Sequence, residues 1–287
     1  MSDADPPVEP VRTAVARALE EDLGPLGDLT AALVPADARA TAAVVVRAEG
    51  VIAGIACATE VFAQLDAGVA VEWLVDDGGA VGAGTKIGSV SGSLRAVLTG
   101  ERTALNFLCH LSGIATVTRH FVQAAGGVRV LDTRKTLPGL RALEKAAVRA
   151  GGGVNHRGSL SDFVLLKDNH LAGIGITEAV RRARSRWPGR AVEVECDRAE
   201  QVIEAIRSGA TMVLLDNMSP DEVVSCVKLA RESMRDIFVE VSGGVTLENV
   251  HRYAETGADA VSTSAITQSA PALDIGFDIG TEEFAEG

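Results

Sequence analysis

The chain has 287 residues, 47% hydrophobic and 23% charged, with a mean hydropathy of +0.19, a composition that excludes disorder and collagen-like repeats. That is nearly twice a common domain length of about 150 residues, so one large α/β barrel or two domains fit and a single small module does not. A net charge of −12 and an aromatic content of 3% exclude nucleic acid as a natural partner, since phosphate is repelled and stacking surfaces are scarce.

Residues 104–118 carry no Asp, Glu, Lys or Arg but include Asn106, His110 and Ser112. The run falls short of the roughly 18 residues that mark a membrane span, so a soluble protein is expected. Residues 1–10 hold three acids and three prolines where a secretory signal needs a basic start and an apolar stretch, and read as a frayed cytoplasmic leader. Val8, Val11, Val15 and Leu19 then recur at helical spacing, with Glu20 to Asp22 and the glycines at 24 and 27 ending a surface helix. Over 40–94 the pattern turns to β-branched runs broken by Gly-rich turns, a small and mostly β domain. From Leu94 to Phe121 the helical period returns through Val97, Leu98, Leu105, Leu108 and Leu111, a long or broken helix. Cys57, Cys109, Cys196 and Cys226 lie far apart, which fits free thiols rather than a zinc site or disulfides.

Beyond this helix a unit repeats: a short apolar strand ending in polar residues, then a helical stretch. The strands read 128–131, 163–166, 191–196, 211–215, 238–241 and 260–261. Alternation of this kind implies right-handed parallel βα units. A barrel is favoured over an open sheet, with six of the eight strands of a complete barrel visible. The acidic segment 274–287 is expected to return to the first domain.

Barrel sites form at the C-terminal strand ends. Here those ends carry Asp132, Thr133, Arg134 and Lys135; Lys167, Asp168, Asn169 and His170; Glu195 and Asp197; Asp216 and Asn217; and Ser242, Gly243 and Gly244. Strand alternation puts Glu193 and Glu195 on one face, inward if Val192 and Val194 face the helices. A network of mutually compensating ions in a polar core explains any one of these residues, Glu193 or Glu240 included. The set as a whole suits an anionic substrate bridged by a divalent metal better. Gly151 to Gly153 end a helical stretch over 140–150 and present His156 and Arg157 from a pliable loop, the guanidinium offering a fork to a carboxylate or phosphate. Arg102 falls between Leu98 and Leu105, within the apolar stripe by helix geometry, and either seeks an anion or snorkels to pair with Glu101 or a distant acid. The small residues Ser242 to Gly244 and Ser262 to Ser264 close two late strands, where backbone N–H groups commonly receive phosphate.

Several blocks carry a resemblance: Glu21-Asp22-Leu23 with Gly27-Asp28-Leu29-Thr30; Glu101-Arg102-Thr103 with Asn106; His110 to Thr116; Asp132-Thr133-Arg134-Lys135-Thr136 with Pro138 to Arg141; Gly151 to Arg157; Lys167 to His170; and Leu215-Asp216-Asn217. Over nearly its whole length the chain resembles the quinolinate phosphoribosyltransferases, decarboxylating pentosyl transferases that make nicotinate mononucleotide for NAD synthesis. The resemblance implies an N-terminal α/β sandwich domain over 1–112, joined by the tail 274–287, and an incomplete parallel α/β barrel over 113–273. It implies a homodimer in which Arg102 serves the neighbouring subunit's site, with quinolinate, phosphoribosyl pyrophosphate and Mg²⁺ as ligands. Arg102, Arg134, His156, Arg157 and Lys167 would hold the two carboxylates, and Lys135 phosphate oxygens. Glu195 and Asp216 would hold Mg²⁺ directly or through water, facing the ribose. Ser242, Gly243, Gly244 and Ser264 would receive the 5-phosphate. Lys135, Lys167, Glu195 and Asp216 form the catalytic set. Ser264 and Gln268 depart from the Gly and His usual in the last phosphate loop. The rivals are a phosphoribosyltransferase for another pyridine acid such as nicotinate, a paralogue in metal metabolism, a noncatalytic phosphosugar-binding barrel, and an aldolase using Lys167 as a Schiff base. Five cationic donors exceed what one carboxylate can pair, and the acids Glu195 and Asp216 disfavour a mere binding module.

Overall fold

The computed structural model describes residues 5–281. In chain order it contains α1 (Val8–Leu23), β1 (Arg39–Val46), β2 (Gly50–Val51), α2 (Ile55–Leu65), β3 (Ala70–Trp73), β4 (Ala80–Val81), β5 (Lys86–Ser93) and α3 (Leu94–Ala124). There follow β6 (Arg129–Leu131), α4 (Arg141–Ala150), β7 (Val164–Leu166), α5 (Asp168–Leu171), α6 (Gly175–Arg186), β8 (Val192–Cys196) and α7 (Ala199–Ser208). The last are β9 (Met212–Asp216), α8 (Pro220–Ser233), β10 (Phe238–Ser242), α9 (Val250–Ala254), β11 (Ala260–Ser262) and β12 (Ile275–Thr281). The chain divides into two compact units. One takes the residues up to Arg119, the segment Thr136–Gly152 and the chain from Thr267; the other takes His120–Lys135 and Gly153–Ile266.

The first unit is built on an antiparallel sheet in the order β12-β1-β5-β3. Alternation along β1 buries Ala40, Ala42, Val44 and Val46 and leaves Arg39 and Thr41 outside, the pattern of a sheet covered on one face. Helix α1 buries Val11, Val15 and Leu19. It starts at Val8, so residues 8–10 of the stretch expected to fray are helical; residues 1–4 lie outside the described residues. It also runs to Leu23, taking in Glu20 to Asp22, which the sequence suggested as its end. The stretch 40–94 is mostly β as read, holding β1 to β5, but it also contains helix α2, which buries Cys57, Ala58, Val61 and Phe62 as one helical face. The long helix α3 is continuous over 31 residues. Its glycines are packing sites rather than breaks: a Cβ on Gly113 would come within 2.9 Å of the Pro271 carbonyl carbon. Ser112 and Thr116 on the same helix accept the Ala53 and Val51 amides at 3.0 and 2.9 Å. The returning segment forms β12, paired antiparallel with β1 from Ala40↔Thr281 to Val46↔Ile275; residues 282–287 lie outside the described residues.

The second unit holds a six-stranded parallel sheet in the order β6-β11-β10-β9-β8-β7. These are the six strands the polar-ended apolar runs predict, within a residue or two. Among the described residues no further strand joins β6 to β7, so the barrel is incomplete and open. Val194, Val213, Val239, Val241 and Val261 are fully buried, as expected for parallel strands covered by helices. All four cysteines are free, three of them buried. No described helix is long and apolar enough to cross a membrane.

Candidate active site

Within the parallel-sheet unit a cavity of about 660 Å³ opens at the C-terminal strand ends, and Arg134, Lys135, His156, Arg157, Lys167, Glu195, Asp216, Ser242, Gly243 and Gly244 all stand in its wall. The sequence drew these ten from five separate strand ends and one loop. Parallel strands of matched register bring them to one rim: Ser242 lies opposite Asp216 and Glu195 opposite Leu214.

Asp132 ends β6 and is fully buried. Its carboxylate accepts the Asn155 side-chain amide at 2.7 Å and the His156 backbone N–H at 2.9 Å. Val154 N–H donates to the Val130 carbonyl at 2.8 Å, and Leu131 and Val154 form a parallel bridge. The segment bearing His156 and Arg157 is therefore pinned to the sheet edge, not pliable as the preceding glycines suggested. Arg157 lies over the Phe163 ring at 5.7 Å and donates to the Phe163 carbonyl. Burial, and then the charge of Arg134, lower its pKa, an electrostatic pairing of like charges that a shared anion would relieve.

Beneath this rim, Nε2 of His156 is 3.2 Å from Glu193 Oε2 and 3.3 Å from Glu240 Oε2, and both acids are buried. Burial alone would disfavour the imidazolium, yet the two carboxylates outweigh it and raise the pKa to about 9. Glu193 is raised by burial and by Glu240 and lowered by His156. The three donor atoms lie within 4.8 Å of one another, close enough to share a cation; a protonated His156 itself supplies that positive charge. Period-two alternation had placed Glu193 inward, and the histidine is its partner.

Lys167 forms an ion pair with Glu195. Asp216 Oδ2 accepts the Asn217 side-chain amide at 2.6 Å. Glu195 and Asp216 end neighbouring strands, and their hard carboxylate oxygens are the donors Mg²⁺ prefers. Sequence reasoning gave no role to Asn217, although it lines the cavity. Its signal is conformational: among the described residues it is the one non-glycine with positive φ, 55°, which the strand pattern does not show.

Three expected residues are not in this wall. Ser264 and Gln268 lie beyond the end of β11, with Ser262 of that strand lining the cavity instead. Arg102 belongs to the first unit. It is exposed, as is Asn106 one turn on, while Val97, Ala104, Leu108 and Leu111 form the buried stripe. The expectation that it sits inside the stripe is corrected: the helical turn carries it to the outer edge, where the charge stays solvated. Among the described residues no carboxylate forms an ion pair with it. A cavity of about 630 Å³ in the first unit is faced by Glu9, Glu21, Asp22 and Arg17, an acid excess unsuited to an anionic ligand.

The chain matches the family described as quinolinate phosphoribosyl transferase, C-terminal domain, over residues 114–278 and the corresponding N-terminal domain over 28–112. It is 44% identical to a probable nicotinate-nucleotide pyrophosphorylase (carboxylating) of Synechocystis, over 91% of this chain and 90% of that one. It is 43% identical to the nicotinate-nucleotide pyrophosphorylase (carboxylating) of Mycobacterium leprae, over 93% and 96%. The solved nicotinate-nucleotide pyrophosphorylase of Francisella tularensis superposes with a TM-score of 0.91 at 38% identity, covering 98% of this chain and 99% of that one.

Proposed function

The chain belongs to the quinolinate phosphoribosyltransferase family, and we propose that the cavity of the parallel-sheet unit is where it carries out that family's reaction. Quinolinate and phosphoribosyl pyrophosphate give nicotinate mononucleotide, pyrophosphate and CO₂, a step of de novo NAD synthesis. The observation that carries this placement is the gathering of five cationic side chains, four carboxylates (Glu195 and Asp216 at the strand ends, with Asp132 and Glu240) and a Ser-Gly-Gly turn around one cavity.

Arg134, His156, Arg157 and Lys167 would hold the two carboxylates of quinolinate by charge-assisted hydrogen bonds. Lys135 would meet phosphate oxygens. Ser242, Gly243 and Gly244 would receive the 5-phosphate on backbone N–H groups, with Ser264 at most a neighbour of that subsite. Glu195 and Asp216 would hold Mg²⁺, directly or through water, on the ribose side, where it would supply positive charge to offset that of the pyrophosphate. The two acids also favour positive charge on the ribose as its C1–pyrophosphate bond breaks and the ring nitrogen attacks. Ribosylation makes that nitrogen cationic. The C2–carboxylate bond can then release CO₂, its electron pair stabilised beside the pyridinium until the carbon takes up a proton. Lys167 and the arginines hold the ring in place through both steps.

We further read Arg102 as serving the site of a second copy in a homodimer. Its support is an exposed guanidinium with no acid paired to it among the described residues. Product analysis with quinolinate or nicotinate, each with phosphoribosyl pyrophosphate and Mg²⁺, tests the substrate assignment. Quinolinate should yield nicotinate mononucleotide with stoichiometric CO₂; equal turnover of nicotinate sinks the dicarboxylate reading.

A further inference from the structure

Just past the paired ends of β9 and β10, one residue touches both strands' C-terminal turns. Asn217 follows Asp216 with φ 55°, a left-handed conformation open to glycine and, among other residues, most readily to Asn or Asp. This turn sends its backbone N–H to the Ser242 carbonyl at 2.9 Å and its side-chain amide to Asp216 Oδ2 at 2.6 Å. Gly243, at φ 83°, rests directly on it: a Cβ there would lie 2.6 Å from Asn217 Cγ and 2.8 Å from Asn217 N. Asn217 thus contacts the acid and the Ser-Gly-Gly turn at once, and it is itself in the cavity wall.

We propose that Asn217 is a positioning residue that fixes Asp216 and the Ser242–Gly243 turn relative to one another, and so sets the span offered to phosphoribosyl pyrophosphate between its pyrophosphate and 5-phosphate ends. This rests on the reading above, in which Asp216 serves the pyrophosphate and ribose side and the turn serves the 5-phosphate. By donating to one carboxylate oxygen, the amide restrains the orientation of Asp216, as outer partners of ligating carboxylates do. By filling the space above Gly243, it also holds that turn in its left-handed form. Neither contact involves the quinolinate residues Arg134, His156, Arg157 and Lys167, so the effect is confined to one substrate.

The test uses the full chain with Asn217→Gly, which keeps the left-handed backbone but removes the donor, and Asn217→Asp, which keeps the shape but replaces the donor with an acceptor. Asp216→Asn serves as reference. Calorimetry gives Kd for phosphoribosyl pyrophosphate with Mg²⁺ and, separately, for quinolinate; steady-state assays give the matching KM values. Both Asn217 variants should weaken phosphoribosyl pyrophosphate by about 10- to 100-fold with quinolinate affinity unchanged. If Asn217→Gly binds phosphoribosyl pyrophosphate like the parent while Asp216→Asn loses it, Asn217 only shapes the backbone and the proposal is overturned with the site reading intact. If Asp216→Asn itself binds normally, the site reading fails and takes the proposal with it. Should Asn217→Gly not fold, as judged by circular dichroism, Asn217→Asp decides on the same criteria.

Discussion

Replacing Glu240 with glutamine removes one of the two negative charges on His156 without changing side-chain size, and its consequence can be worked out from the distances. At 3.2–3.3 Å, each carboxylate attracts an imidazolium by roughly 5 kcal/mol at an effective dielectric of about 20. Much of this offsets the cost of burying the ring. The net effect, a pKa of about 9 against 6.5, corresponds to about 3 kcal/mol. The sign follows from a histidine whose folded pKa is raised. Its stabilising contribution is complete below the unfolded value of 6.5 and is lost as pH rises through about 9. Glu240→Gln should lower the His156 pKa by about 1–2 units, bringing its titration into the neutral range. The assay is proton NMR of the histidine ring signals against pH, assigned with His156→Gln, together with calorimetric quinolinate affinity from pH 6 to 10. The parent enzyme should hold quinolinate until pH passes about 9; the variant should begin to lose it earlier. A parent His156 titrating near 6.5, or a variant titrating where the parent does, refutes the reasoning.

Three further outcomes are expected. Arg134→Ala and Lys167→Ala should each weaken quinolinate by about 1–3 kcal/mol or more, because a carboxylate is left without its partner; unchanged calorimetric affinity with an intact fold removes them from the site. Arg102→Ala and Asp216→Ala, each inactive alone, should regain activity when their subunits exchange, approaching half of normal per heterodimer, and failure to recover despite exchange places Arg102 in its own chain's site. Asp77, raised to about 6 by burial despite accepting the Ile55 and Gly54 N–H groups, favours the folded state most below the unfolded value near 3.8 and loses that contribution as pH rises through about 6. Asp77→Asn should therefore gain stability relative to the parent on going from pH 4 to pH 7, by about 2 kcal/mol; a melting-temperature difference that does not change with pH rejects this.

The parallel strands were legible because each is a short apolar run that stops at a polar residue, and the active-site rim is the set of those stops. Glu193 and Glu195 were correctly sided by alternation alone. What escaped were features decided by backbone conformation or by distant partners. Asn217 reads as a polar loop residue until its φ is known. Asp132 reads as one more rim acid, yet it is spent on the His156 and Asn155 amides. Helix α2 was hidden because its Ala- and Gly-rich surroundings resemble those of the neighbouring strands, and its apolar face spans only three turns. Arg102 was misplaced by one helical step: Leu105 is buried with Val97, Ala104 and Leu108 as the stripe requires, but Arg102 falls just off that face and is exposed.

The pairing of β12 with β1 also bears on how the protein is made. The first unit begins near the amino terminus, but its sheet lacks an edge strand until residues 275–281 have been synthesised, and α4 joins it only after β6 has been made. On the ribosome, the stretch encoded first is thus completed last, and β1 presents an unpaired edge, open to association with other chains, for most of translation. The parallel-sheet unit, by contrast, has all its residues by Ile266, before β12 is made. Chains cut short just before β12 should therefore aggregate through the first unit while the second keeps its native hydrogen-exchange protection.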